Sequence, residues 1–212
     1  KIKSDQNLSE LHNILGDLQW ITGNIQGAIE CQEKTISLAN QALKSLTFTT
    51  GTKHQFYYLK MLTLDSQLSI GLYKIDLWEL ETAACLFQQV IRSAQNTEHH
   101  RWAEKAAVCL ALVHSYLGLT DALNLANDIY HKFSEPSVER SGRFAYFMQI
   151  LGQTYFNLDN FDRAIALYGQ ALTFAEAGHY TQIKAKTLNG FAEIDRHQQS
   201  FAMALTHHTE AI

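Results

Sequence analysis

Ten histidines and three cysteines are the side chains of this 212-residue chain best suited to metal binding or nucleophilic chemistry. His99-His100 and His207-His208 form adjacent pairs. On a helix, neighbouring side chains point about 100° apart, so neither pair can chelate as histidines four residues apart do. Both pairs are expected to be solvated histidines at helix ends, and no metal site is expected. Cys31, Cys85 and Cys109 are odd in number, widely separated and without a C-x-x-C pair, the pattern of reduced core thiols. A Cys109–His114 nucleophile pair would need an orienting third group and an oxyanion site, and the sequence supplies neither. His114 reads instead as a packing residue sensitive to pH. Glu139-Arg140-Ser141-Gly142-Arg143 follows the sole proline, Pro136, and reads as a capped, solvated helix start. Neither G-x-x-x-x-G-K nor G-x-G-x-x-G occurs. No catalytic residue and no cofactor is therefore expected, and the chain is expected not to be an enzyme.

Charge and hydropathy narrow the partners. Seventeen Lys and Arg are scattered among 21 Asp and Glu, for a net charge of −4, which lacks the basic footprint that nucleic-acid binding needs. The longest apolar stretch, Ala106 to Val113, is about eight residues, against about twenty for a membrane span. With reduced cysteines and no signal peptide at the start, a cytoplasmic location is expected.

Whatever chemistry exists must be positioned by helices. A single proline in 212 residues, where about 5% is usual, together with only 11 glycines, predicts an all-α chain. The helices are expected over 5–22, 24–46, 53–75, 77–95, 98–118, 120–133, 138–158, 160–177, 180–196 and 199–212. They repeat. Relative to Gly152, Tyr155 stands at +3, Ala164 at +12, Tyr168 at +16 and Ala171 at +19; Gly71 has Ala83, Phe87 and Val90 at the last three positions. Gly16 and Gly190 have Ala28 and Ala202 at +12, and Leu110-Ala111 with Ala122 marks a further copy. The anchors at 16, 71, 110, 152 and 190 give a period of about 40. Glycine followed by alanine twelve residues on lets two antiparallel helices approach closely, and the aromatic positions fill the adjoining gap. Asn24, Asp76, Thr120-Asp121 and Asp159-Asn160 are the expected N-caps of the second helix in each pair. One helical repeat domain over 1–212 follows, with about five antiparallel pairs at 5–47, 52–96, 97–133, 137–177 and 178–212. Breakers fall at Thr49-Thr50-Gly51-Thr52, Ser134-Glu135-Pro136-Ser137 and Ala177-Gly178. A start at Lys1 and an end at Ile212 in mid-pattern are expected of a piece of a longer protein.

The Leu-Gly, aromatic, Ala, Tyr/Phe and Ala spacing, fullest in LGQTYFNLDNFDRAIALYGQAL at 151–172, resembles the tetratricopeptide repeat. The family's tryptophan before the glycine and its closing proline are replaced, and the period resembles the longer-helix branch found in kinesin light chain and in bacterial sensor regions. The resemblance implies a right-handed α-solenoid in which the first helix (A) of each pair, rather than the second (B), lines a concave groove. Carried over position by position, it places Asn13, Asp17, Trp20, Tyr146, Gln149, Gln153, Phe156, Asn157 and Phe191 in that groove. Two placements stay open for Trp20 and Phe156, groove exposure or packing against the next repeat. The chaperone-binding carboxylate clamp of the family is not expected, since Asn13 is followed by Asp17 and Gln149 by Gln153.

The function this implies is a non-catalytic scaffold that binds a protein or peptide segment in the groove, as one module of a larger regulatory or assembly protein. The alternative is a ligand- or peptide-sensing domain whose superhelical curvature controls an attached effector. Self-association through the terminal helix with Leu205, Ala211 and Ile212 is a further expectation.

Overall fold

The computed structural model describes residues 2–47, 49–95, 97–133 and 141–212. The expected breaker at 134–137 and the charged residues Glu139 and Arg140 lie outside them. Among the described residues there are ten α-helices and no strand: α1 Ile2–Ile21, α2 Ile25–Ser45, α3 Lys53–Asp76, α4 Leu80–Ala94, α5 His100–Tyr116, α6 Ala122–Phe133, α7 Ser141–Asn157, α8 Phe161–Ala177, α9 Thr181–His197 and α10 Phe201–Glu210. A single 3-10 turn, Thr50–Thr52, precedes α3. Each helix expected from the sequence has its counterpart.

Six of the connections use one device. Gly23, Trp78, Gly118, Asp159, His179 and Gln199 all have φ between 56° and 84°, the left-handed region. Each sits just past a helix end, and the two N–H groups that follow the turn bond backwards. Asn24 N reaches Gln19 O while Gly23 N reaches Trp20 O, and Asn160 N reaches Tyr155 O while Asp159 N reaches Phe156 O. These paired bonds satisfy helix-end carbonyls and reverse the chain within three residues, or five at Gly118. Only two of the six residues are glycine, so four turns hold an L-residue where left-handed backbone is costly.

Side-chain caps follow at two of the expected places: Asn24 accepts from Gly27 N and Asn160 from Arg163 N. Asp76 is not a cap. It is the last residue of α3, and Glu79 precedes α4. Asp121 faces His114, with His114 Nδ1 2.9 Å from its Oδ1.

Packing divides the chain into two compact units, Lys1–Leu110 and Ala111–Ile212, with the division inside α5. In the first unit α2 packs against both α1 and α3, and α3 against α4. In the second, α8 packs against both α7 and α9, and α9 against α10. The small residues serve as expected at Ala28, Ala83, Ala122 and Ala164, each fully buried. In the last pair the buried residue is Ala204 and Ala202 is exposed; among the described residues α10 packs on α9 alone. Gly16, Gly71 and Gly152 are covered by the residue sixteen later, whereas Gly190 is covered by Tyr168 of the preceding helix. A Cβ on Gly71 would come 2.5 Å from Phe87 and one on Gly152 2.6 Å from Tyr168, while Gly16 meets the amide of Gln32 at 2.6 Å.

Candidate partner-binding face

Because α2 packs against both α1 and α3, and α8 against both α7 and α9, the A helices within each unit become neighbours. α1 touches α3 in the first unit, and α7 touches α9 in the second. The expected groove residues lie on these helices.

In the first unit, Asn13, Asp17 and Trp20 stand on α1 at spacings that share one face. Gln32, completely buried on α2, pushes its amide over Gly16 and donates from Nε2 to Asn13 O at 3.2 Å and to Asp17 Oδ1 at 3.4 Å. Tyr73 of α3 donates its hydroxyl to the same Asp17 oxygen at 3.2 Å. Ser66 Oγ donates to Asn13 Oδ1 at 3.4 Å. Trp20 packs its ring 5.5 Å from that of Tyr73 and donates Nε1 to Asp76 Oδ2 at 2.6 Å. Asp17 still reaches solvent. Partial burial raises its carboxyl above the ordinary value, the Tyr73 hydroxyl opposes this, and the charge of Asp65 adds to it. Burial pushes the Tyr73 hydroxyl up to about 12. The sequence alone did not point to Gln32, Ser66, Tyr73 or Asp76. For Gln32 a signal existed, since it holds the +16 position occupied by Phe87 and Tyr168 in other copies.

In the second unit Gln153 joins α7 to α8, accepting from the Tyr168 hydroxyl at 3.0 Å and donating to Asn157 Oδ1 at 3.1 Å. Asn157 Nδ2 in turn donates to Ser115 Oγ at 2.9 Å. Phe191 meets the Tyr168 ring edge-on at 5.5 Å and stacks on His207 at 5.5 Å. Burial raises the Tyr168 hydroxyl far above its usual range. Gln153, Asn157 and Phe191 are therefore brought together around Tyr168. Phe156 joins a different group, edge-on to Phe161 and His197. Tyr146 is half-buried beside Phe147, and Gln149 is buried. Of the nine expected groove residues, Asp17 is the most open to solvent and the remainder are half-buried or buried.

The histidine pairs differ from expectation. His100 is exposed, but His99 is buried, because the turn at Thr97 tucks it between Tyr57 and Trp102. His207 is half-buried, its Nδ1 2.7 Å from Asp195 Oδ2, while His208 is exposed with Nδ1 3.0 Å from Asn189 Oδ1. Of the cysteines expected in the core, Cys109 is buried, Cys31 half-buried and Cys85 exposed on α4. Among the described residues no group of three His, Cys, Asp or Glu is placed to hold a metal ion. Among them, too, no helix is long and apolar enough to cross a membrane.

The tetratricopeptide repeat model matches residues 9–41 and 145–177, the first and fourth copies of the period, and the chain carries tetratricopeptide repeats there. Among solved structures it is similar to BtubC (BKLC) from P. vanneervenii, with a TM-score of 0.59 and 16% sequence identity, over 99% of this chain and 87% of that one. At that identity the likeness concerns the fold, which is all-α and of the helical-repeat solenoid kind. No curated protein matches the chain.

Proposed function

We propose that this tetratricopeptide-repeat chain is a non-catalytic scaffold that binds a segment of a partner protein through its A helices, as a module of a larger regulatory or assembly protein. Tetratricopeptide repeats generally mediate protein–protein interaction and are generally non-catalytic. The observation that carries the reading further is the pair of internally bonded polar groups, Asn13–Asp17–Gln32–Tyr73 and Gln153–Asn157–Tyr168. Their side chains are already held in one arrangement, which lowers the ordering entropy that association must overcome. Beside them Trp20, Phe156 and Phe191 supply rigid aromatic area of the type enriched at binding hot spots. Within this reading the partner is a protein or peptide segment rather than nucleic acid, the location is cytoplasmic, and the exposed end helix contributes to self-association.

The test uses the full chain as bait for a native lysate, beside a Trp20→Ala/Phe156→Ala variant, followed by calorimetric titration of the segment recovered. A protein held by the first and bound at least tenfold more weakly by the second supports the A-helix face. Equal affinity of both overturns it. Trp20 also packs on Tyr73, so Trp20→Phe is the companion variant, keeping a ring there while removing the bond to Asp76.

A further inference from the structure

A cavity of about 440 Å³ lies in the first unit, where the ends of α2 and α4 and the turn before α5 meet the N-terminal half of α3. It shares no residue with the Asn13–Asp17–Gln32–Tyr73 group, and its size is that of a small-molecule site. Phe56 and Tyr57 supply flat apolar wall. Asn40 of α2, Lys60 and Gln67 of α3 and Ser93 of α4 add polar groups to the wall. Among the described residues, none of these four polar side chains makes a hydrogen bond or ion pair, and no carboxylate lines the cavity.

His99 completes the wall. Its backbone N–H donates to Thr97 Oγ1 at 3.0 Å, and Thr97 Oγ1 donates to Ala94 O at 2.9 Å, so the turn holds the imidazole inward. The ring meets Tyr57 and Trp102 edge-on at 5.8 and 5.7 Å. Its Nε2 is buried with no hydrogen-bond partner. Burial lowers the basicity of the ring, with Glu98 opposing and Lys60 adding, so the imidazole is neutral and able to donate or to accept. Glu98 is engaged outside the cavity by Lys53 at 3.5 Å, and Lys53 also lies over the Tyr57 ring. Asn40, Lys60 and Ser93 are exposed and Gln67 half-buried, so these groups are open to a ligand in exchange for water. His99 Nε2 is the lining group that is buried without a partner, and such an exception calls for an explanation.

We propose that this cavity binds a small organic acid with a planar aromatic body, its carboxylate on Lys60 and the neighbouring amides, its ring against Phe56 and Tyr57, and a polar edge toward His99. Among the described lining residues Lys60 is the one ammonium and His99 is neutral, which suits a single negative charge better than the two of a phosphate ester. The site stands independently of the A-helix face, so its failure leaves that proposal untouched.

The experiment follows the imidazole signals of the histidine-labelled full chain by nuclear magnetic resonance, with the His99 signal assigned from its loss in His99→Gln. Benzoate, phenylacetate, 4-hydroxyphenylacetate and indole-3-acetate are titrated, each beside its carboxamide. The expected result is a saturable shift of the His99 signal by at least one acid, binding at least tenfold weaker for its amide, and a loss of about tenfold for that acid in Lys60→Gln. Lys60 is exposed, so that variant keeps the fold, which its unchanged melting temperature checks. No shift with any of the four acids, equal binding of acid and amide, or unchanged binding in Lys60→Gln overturns the proposal.

Discussion

Two glycines in the second unit allow the repeat's packing rule to be tested within one helix pair. A Cβ on Gly152 of α7 would lie 2.6 Å from both Cδ1 and Cε1 of Tyr168, whereas a Cβ on Gly169 of α8 would meet nothing within 4 Å. Tyr168 is fully buried and is held by its bond to Gln153 and by the edge of Phe191, so its ring cannot swing aside. In a helix interior, alanine is favoured over glycine by about 1 kcal/mol. Gly169→Ala is expected to keep that gain, which for a chain of this size raises the melting temperature by about 2–4 °C. Gly152→Ala gains the same but forces an overpacked contact that costs about 1–3 kcal/mol, so it is expected to melt at or below the wild type. Far-ultraviolet circular dichroism measures both on one protein. A double-mutant cycle with Tyr168→Leu isolates the clash: in that background Gly152→Ala should become stabilising. If Gly152→Ala raises the melting temperature as much as Gly169→Ala does, the close approach of α7 and α8 is not what selects glycine at this position.

Three further outcomes are expected. Gln199 is exposed and holds φ at 62° before α10, so Gln199→Gly should relieve about 1 kcal/mol and raise the melting temperature, whereas an unchanged or lower value would contradict strain at that turn. A carboxyl raised on folding binds its proton more tightly in the folded state, so its ionisation removes stability as pH climbs through that range. The melting temperature of Asp17→Asn should therefore gain on the wild type as pH is raised from about 4 to 7, while a constant offset between the two would show that partial burial of the carboxyl has no such effect. Leu8, Leu11, Ile14, Leu18 and Ile21 form an exposed stripe on α1, and Phe201, Met203 and Leu205 are exposed on α10. If these ends drive self-association, Ile14→Glu/Leu18→Glu and Leu205→Glu should each shift sedimentation toward the monomer with stability nearly unchanged, and a wild type that is monomeric at every concentration would remove the idea.

Periodicity fixed the helices because glycine, alanine and aromatic residues recur where two helices must touch. It did not reveal the turns. Only Gly23 and Gly118 announce a left-handed residue, while Trp78, Asp159, His179 and Gln199 adopt it under compulsion from the paired backbone bonds around them. Asp76 looked like a cap because it precedes a short polar break, yet α3 runs through it and its carboxylate is engaged by Trp20. His99 looked solvated because helical spacing says nothing about a residue in a turn, and the Thr97 hydroxyl that folds it inward acts through the backbone.

The candidate site shows the same division. Asn13, Asp17, Gln153 and Asn157 were legible because they share A-helix faces with one another, and the structure links them within each unit. Their partners come from other helices, and a single helix's pattern cannot show what its neighbour lays over it. Position +16 makes the point. Phe87 and Tyr168 cover their glycines with ring carbon, and Gln32 covers Gly16 with an amide, so the same steric slot becomes a polar one in the first copy. That exchange ties α2 to the α1 backbone and to the Asp17 carboxylate, and leaves Gln32 Oε1 buried without a partner. An unsatisfied buried acceptor costs on the order of 1–3 kcal/mol, more than a single amide bond usually returns. Nε2 offsets that cost through Asn13 O, the Tyr73 hydroxyl and above all the Asp17 carboxylate, since bonds to charged groups are the stronger ones, so the glutamine is explained by what it holds in place, the carboxylate of Asp17 at the solvent edge of α1.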